Sequence, residues 1–115
     1  TLIMDMEAGI EHLGRGTTEN VDVLLTVVEP SLRSVETADR INRLAEDIGI
    51  ENNVAVLNKV KEEREKEIIE DKLDIPLEYT IPYNDSVTEA DLKGTSIFNE
   101  DEELMNMMAE LKEKL

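Results

Sequence analysis

Hydrophobic and polar positions divide the chain into two kinds of segment. The first kind is short and continuously apolar, as in residues 21–28, where valine and leucine predominate. Such a run predicts a strand covered on both faces, and Pro30 marks its end. Residues 2–4 predict another short buried strand, and residues 54–57 and 77–81 predict two more.

The second kind of segment carries apolar residues at intervals of three and four, the spacing of one helix face. Residues 35–48 have this spacing, with Ser31 and Ser34 as candidate N-caps and Gly49 as the expected stop. Residues 61–72 predict a second helix. Their dense lysine, arginine and glutamate content indicates a solvated face with i,i+4 ion pairs.

Capping signals predict two further helices. Ser86 with Glu89 forms a capping-box pattern, and the helix that it opens is expected to close near Gly94. Asn99 with Glu102 repeats the pattern before the final helix. The core-facing side of that helix is predicted to be a stripe of leucine and methionine: Leu104, Met105, Met108, Leu111 and Leu115.

The alternation of strand and helix patterns predicts an α/β fold, with a parallel sheet flanked by helices. No repeat or low-complexity linker interrupts residues 1–115, so we expect a single domain or part of one. Ligands of such sheets bind beyond the carboxyl ends of the strands. Those ends are expected at residues 5–9, 29–30, 58–59 and 82–84.

The excess of acidic over basic side chains argues against anionic binding partners. The chain has 28 acidic and 12 basic side chains, which give a formal net charge of −16. A field of that sign repels phosphate backbones and anionic lipids, so we expect neither a nucleic-acid nor a membrane partner. Solubility is the simplest use of the acid excess. The chain has no cysteine, which excludes disulfides and thiolate metal sites and fits a cytoplasmic location.

The first strand end carries candidate phosphate chemistry. Asp5 follows an apolar strand, where a carboxylate reaches metal-bound water, and Gly9 allows backbone N–H groups to approach a phosphate closely. This order of residues suits a magnesium-nucleotide site. The sequence contains no Gly-x-x-x-x-Gly-Lys-Ser/Thr loop, so the common phosphate-gripping motif is absent from it.

Four segments together resemble one protein family. Residues 5–16 (DMEAGIEHLGRG) are similar to the switch II segment of CooC-type ATPases. These are accessory proteins for nickel insertion into carbon monoxide dehydrogenase, within the MinD/ParA/nitrogenase-iron-protein class of P-loop NTPases. Residues 27–38 resemble the following strand and helix, residues 58–60 the adenine-reading segment, and residues 81–94 the segment that closes over the base. The resemblance covers nearly the whole chain.

For the phosphate end of Mg-ATP, the resemblance implies that Asp5 binds magnesium through a water molecule. Asp5, Ala8 and Gly9 would form the switch II segment, whose position changes between ATP and ADP. Taken without the resemblance, Asp5 is simply a residue that caps the loop after a strand. His12, the only histidine, is a surface or packing residue on the simpler interpretation and a metal ligand on the other.

For the base, the resemblance implies that Asn58 hydrogen-bonds adenine, since an amide suits the donor–acceptor edge of that base. Lys59, Pro82 and Tyr83 would line the pocket, with the lysine stem along its wall. The alternatives are structural. Asn58 would then only cap the turn after its strand, and Tyr83 would fill the core.

The resemblance also implies what the intact protein does. In the family, ATP clamps two subunits into a homodimer that holds nickel through a Cys-x-Cys pair. The implied client is carbon monoxide dehydrogenase or the acetyl-CoA synthase complex. This sequence lacks the phosphate loop, the switch I aspartate and the cysteines. The resemblance therefore identifies it as the carboxyl-terminal half of such an ATPase, lacking the phosphate-loop strand and inactive alone.

The missing strand has a consequence for the sheet. In the family, the phosphate-loop strand lies between the switch II strand and the strand that residues 21–28 match. Without it, buried backbone groups on both neighbours would lose partners, at roughly 1–3 kcal/mol each. We expect one of three arrangements: the two strands close together, the missing half is supplied in trans, or residues 2–4 detach.

Two other functions stay open. One is a different ATPase of the MinD/ParA class that acts as a partitioning or positioning switch. The glutamates of the final helix argue against a lipid or DNA partner for such a switch. The other is a stand-alone α/β binding module without enzymatic activity.

Overall fold

A computed structural model describes residues 3–5 and 21–115 of the chain. In residues 21–115, three strands alternate with helices in the order that the sequence predicts for that part of the chain. The strands are β1 (Leu24–Val28), β2 (Asn53–Val60) and β3 (Leu77–Pro82). The helices are α1 (Leu32–Asp47), α2 (Glu63–Lys72), α3 (Asp85–Lys93) and α4 (Glu102–Lys114), with a 3-10 turn at Ile97–Asn99. None of these helices is both long and apolar enough to cross a membrane.

The three strands form one parallel sheet in the order β1-β2-β3. The predicted α/β fold with a parallel sheet flanked by helices is therefore confirmed. β2 is the central strand, and its register with β1 runs without interruption from Leu24 opposite Asn53 to Val28 opposite Leu57. Its pairing with β3 is irregular after Ala55 and again between Leu57 and Val60.

The core lies where α1 and α2 cover the sheet. Val28 and Leu57, which are neighbours in register, are both fully buried. Val35 and Ala38 of α1 and Ile69 of α2 complete the same cluster. These side chains are aliphatic, so tight packing of branched residues stabilises the sheet-helix interface.

A buried polar network joins β1 to β2 at the amino end of the sheet. The hydroxyl of Thr26 donates to Asn53 Oδ1 at 2.8 Å, and Asn53 Nδ2 donates to Asn42 Oδ1 of α1 at 3.1 Å. Thr26 and Asn53 are only 5% and 7% exposed. A shift of one residue in the pairing of β1 and β2 would leave buried polar groups without partners, so this network favours the observed register.

The prediction that residues 21–28 form a strand covered on both faces is wrong in two respects. The strand begins at Leu24, and Val27 is 61% exposed. Alternation along a strand directs Val27 to the opposite face from Thr26 and Val28, which face α1. In the described residues α4 packs against β3, at the other edge of the sheet, and leaves Val27 uncovered.

Residues 3–5 do not form the predicted strand. Ile3 is 84% exposed and Met4 48% exposed, and neither lies in a strand. Leu2 lies outside the described residues. Of the three arrangements expected without a phosphate-loop strand, Ile3 and Met4 correspond to the one in which this segment is not paired with the sheet. Because the side chains of Ile3 and Met4 are largely exposed, their burial contributes little free energy that would hold this segment against the sheet.

Three of the predicted helix boundaries are confirmed. Ser31 is the N-cap of α1, and its hydroxyl accepts from the Ser34 N–H at 3.2 Å. Gly49 follows the end of α1 with a φ of 86°, and Gly94 ends α3 with a φ of 66°. Both glycines adopt the left-handed conformation that terminates helices, where a side chain would be strained.

Two predicted capping boxes and one core position are wrong. The N-cap of α3 is Asn84, two residues before Ser86, and the N-cap of α4 is Asp101, two residues after Asn99. Asn84 Nδ2 donates to Asp101 Oδ2 at 2.6 Å, so the two caps support one another across the loop. In α4, Leu111 is buried and Leu115 is 51% exposed, because the helix ends just before Leu115.

Truncation of the central core residue should be costly. We expect Leu57→Ala to lower the free energy of unfolding by about 2–5 kcal/mol, since Leu57 has no exposed surface. Urea unfolding followed by far-UV circular dichroism measures this. The control is Leu92→Ala, because Leu92 is 83% exposed and should change the value by less than about 0.5 kcal/mol. Equal effects at the two sites would contradict the described core.

Lowering the pH should destabilise the start of α4, because the N-cap of this helix is the titratable residue Asp101. The N–H of Leu104, followed by the amide of Asn84, lowers the pKa of Asp101 below its usual value. A carboxylate with a lowered pKa in the folded state stabilises the fold above the usual carboxyl pKa, and this stability is lost as pH falls through the folded pKa.

The test compares the chain with its Asp101→Ser variant, which keeps a capping oxygen without a titratable group. We expect the melting temperature of the variant to fall less than that of the unchanged chain between pH 5 and pH 3. Parallel decreases for both proteins would show that Asp101 contributes nothing to acid sensitivity.

Candidate functional site

The carboxyl ends of all three strands lie at one edge of the sheet because the strands are parallel. Glu29 follows β1 directly, the turn of Asn58 and Lys59 lies near the end of β2, and Tyr83 follows β3. The predicted base-binding residues are therefore brought to the same edge by the fold. We call this group the carboxyl-edge site.

Lys59 has the unusual backbone of the site. Its φ is 61°, and it is the one residue other than glycine with a positive φ in the described part of the chain. This conformation costs a residue with a side chain roughly 1–2 kcal/mol, and such strain concentrates at ligand sites. It coincides with the register shift between Leu57 and Val60, where β2 pairs irregularly with β3.

The left-handed turn fixes the amide of Asn58. The N–H of Lys59 donates to Asn58 Oδ1 at 2.9 Å, so the side chain of Asn58 bonds to the backbone of the next residue. The half-buried amide is thereby held with its oxygen toward the backbone. Its two Nδ2 donors and the second lone pair of its Oδ1 are the groups left for a ligand.

An ion pair joins the tips of β1 and β2. Lys59 Nζ lies 2.6 Å from Glu29 Oε1, and the two side chains are 56% and 53% exposed. The hydrogen bond to Glu29, followed by its charge, raises the pKa of Lys59 above the usual lysine value. Solvent screens a pair this exposed, so its contribution to overall stability is small.

Tyr83 is a surface residue, so the interpretation of Tyr83 as core filler is wrong. Tyr83 is 41% exposed, and its N–H donates to the carbonyl of Val60 at 2.8 Å, which joins the ends of β3 and β2. Lys61 Nζ lies 4.9 Å from the ring centroid, a cation–π contact. Pro82, the last residue of β3, is also exposed. The carboxyl edge that carries Asn58 therefore also carries a partly exposed aromatic ring.

The phosphate end of the predicted site is not assembled in the described residues. Asp5 is exposed and lies outside the sheet. Ala8, Gly9 and His12 lie outside the described residues. Within residues 3–5 and 21–115, no group of three or more histidine, aspartate or glutamate side chains could hold a metal ion. What the described residues place at the carboxyl-edge site is the amide of Asn58 and the aromatic ring of Tyr83.

Sequence reasoning missed two contributors to the site. It marked Glu29 as a strand end without assigning it a contact, and it placed Lys61 in the charged second helix. The ion pair of Glu29 with Lys59 and the contact of Lys61 with Tyr83 depend on how close neighbouring strand tips lie. A local sequence pattern does not predict that distance. No local signal marked the left-handed conformation of Lys59, because glycine, asparagine and aspartate favour that conformation and lysine does not.

Proteins of known sequence resemble this chain over most of its length. Two proteins of Methanocaldococcus jannaschii, each named an uncharacterized ATP-binding protein, are 38% and 39% identical to it over 120 and 121 residues. These matches cover 96% and 99% of this chain and 47% of each relative. The carbon monoxide dehydrogenase accessory protein CooC of Rhodospirillum rubrum is 41% identical over 99 residues, which cover 85% of this chain and 38% of that protein. The chain matches no family model.

These identities show that the chain is homologous to proteins named as ATP-binding and to a CooC protein. The chain spans about half the length of the M. jannaschii relatives that it matches.

The strain at Lys59 can be measured directly. Lys59→Gly and Lys59→Ala both remove the ion pair, but only glycine adopts a positive φ without steric cost. We expect the glycine variant to unfold at a higher urea concentration than the alanine variant. At Lys66, inside α2, the same pair of substitutions should give the opposite order, because glycine weakens a helix interior. A more stable alanine variant at position 59 would contradict the left-handed turn.

Proposed function

We propose that this chain is the base-binding half of an ATP-dependent maturation factor that inserts nickel into carbon monoxide dehydrogenase. The proposal is supported by the similarity to CooC and by the carboxyl-edge site. The observation that carries it is the amide of Asn58, held by the left-handed turn at Lys59 and lying at the same edge as the exposed ring of Tyr83.

In this proposal Asn58 reads adenine. Its oxygen already accepts the Lys59 N–H, and a carbonyl oxygen has a second lone pair that can accept the exocyclic amino group of adenine. Its Nδ2 then donates to a ring nitrogen. Guanine carries a carbonyl oxygen where adenine carries the amino group, so the same amide orientation disfavours it. Pro82 and Tyr83 provide apolar surface for the base, and Lys59 contributes its stem.

The phosphate end is proposed from sequence similarity. Asp5 would bind magnesium through water, and Ala8 and Gly9 would belong to the segment that responds to the terminal phosphate. Most of the phosphate contacts would come from the part of the relatives that this chain does not span. We therefore propose that residues 1–115 form a partial domain that does not hydrolyse ATP alone.

The whole protein is proposed to work as a homodimer that carries nickel through cysteines, none of which is in this sequence. Its client would be carbon monoxide dehydrogenase or the acetyl-CoA synthase complex. The CooC similarity and the motif at residues 5–16 support this choice.

A second function is favoured by the other relatives. Both M. jannaschii proteins are named only as ATP-binding, so the chain could belong to an ATP-driven switch with a different client. The coding sequence upstream of Thr1 separates the two. A phosphate loop with a Cys-x-Cys pair supports nickel insertion, and a phosphate loop without cysteines supports the other switch.

Base recognition can be tested on the 115-residue chain by NMR titration. We expect adenosine and ATP to shift the amide signals of Asn58, Lys59 and Tyr83, with a dissociation constant in the millimolar range. A millimolar dissociation constant corresponds to about 4 kcal/mol, of which the two amide hydrogen bonds supply about 1–3 kcal/mol and contact with the base the rest. GTP should bind more weakly. Asn58→Ala should weaken adenosine binding about tenfold, because both amide hydrogen bonds are lost.

Asn106→Ala is the matched control, since Asn106 is an exposed asparagine on α4 and should leave the titration unchanged. Equal affinity for ATP and GTP, or an Asn58→Ala variant that binds adenosine normally, would contradict base reading by Asn58. Micromolar affinity for ATP would contradict the proposal that most phosphate contacts lie elsewhere.

A further inference from the structure

We propose that Glu29 is a positioning residue for the base-reading amide, acting through Lys59. This inference rests on the proposed role of Asn58 in adenine binding. The ion pair of Glu29 runs to Lys59, and none of its described hydrogen bonds runs to Asn58. Its carboxylate holds the side chain of Lys59, whose left-handed backbone presents the N–H that orients the amide of Asn58.

Glu29 is itself held from its other side. Its N–H donates to the hydroxyl of Ser34 at 2.9 Å, and the N–H of Ser34 donates to the hydroxyl of Ser31, the N-cap of α1. The backbone at the tip of β1 is therefore tied to the start of α1. A carboxylate on this anchored backbone is a better support for Lys59 than one on a free loop, because less conformational freedom remains to be lost.

The conformation of Lys59 needs such support. A residue with a side chain prefers negative φ, and no glycine stands at this position to relieve the strain. If the turn relaxed, the Lys59 N–H would point away from Asn58 Oδ1, and the amide would be free to rotate. The ion pair opposes this change by holding the lysine side chain across to the neighbouring strand tip.

The geometry distinguishes this pair from an ordinary surface contact. It joins two different strands at 2.6 Å and supports a strained backbone. By contrast, Lys66 and Glu63 are three residues apart on one helix, with 3.7 Å between Nζ and Oε1. That second pair holds no unusual conformation, which makes it a matched control.

The experiment measures two properties of the chain, one without nucleotide and one with it. Glu29→Gln should speed hydrogen exchange at the Lys59 amide and shift the Nδ2 proton signals of Asn58 in the free protein. It should also weaken adenosine binding about two- to fivefold, the range that an exposed ion pair can supply. The control Glu63→Gln should change neither property.

Double variants at Glu29 and Lys59 distinguish a positioning role of Glu29 from a general loss of structure. The exchanged pair Glu29→Lys with Lys59→Glu restores opposite charges across the same two strand tips, and Glu29→Gln with Lys59→Gly lets the turn form without the ion pair. We expect both double variants to restore slow hydrogen exchange at the amide of residue 59 in the free protein, a property that does not depend on the lysine stem in the base pocket. Each single charge reversal should keep the faster exchange.

The outcomes distinguish the two proposals. If Asn58→Ala weakens binding but Glu29→Gln alters neither amide exchange nor affinity, Glu29 has no positioning role and base reading stands. If the unchanged chain shows no preference for adenine, base reading is wrong. The exchange rate at Lys59 in the free protein then still decides whether Glu29 holds the turn.

Discussion

Parallel pairing of β2 with both of its neighbours is the constraint from which the other features of this protein follow. The pairing places Val28 beside Leu57 under α1 and α2, where both are fully buried. It also sends every strand in the same direction, so the three strand tips meet at one edge. The same hydrogen-bonded ladder thus supplies the core and brings together residues that are far apart in the chain.

The candidate site lies where that ladder becomes irregular. β2 pairs regularly with β1 as far as Leu57, and its pairing with β3 shifts before Val60. The strained turn at Lys59 occupies this gap, and Val60 is held on its far side by burial and by the N–H of Tyr83. A turn fixed at both ends can keep a strained conformation, which is how a binding residue is held ready for a ligand.

Charge gives this edge a local character unlike that of the whole chain. The net charge is −16, yet the end of β2 and the residue after it carry the ammonium groups of Lys59 and Lys61. One of these is paired with Glu29 and the other lies over the ring of Tyr83. Both ammonium groups therefore already have a partner within the protein, which lowers the positive field that this edge presents to solvent.

From residue 21 onward, the sequence by itself determined the order of strands and helices, the ends of helices at Ser31, Gly49 and Gly94, and the residues at the tips of the three strands. Each of these depends on periodicity or on the backbone preference of one residue, and both are local. Tertiary structure decided which neighbour each tip contacts, the left-handed turn at Lys59 and the exposure of Val27. It also set the caps of α3 and α4, because Asn84 and Asp101 bond to one another across a loop. These features depend on contacts between segments distant in sequence, which local patterns do not encode.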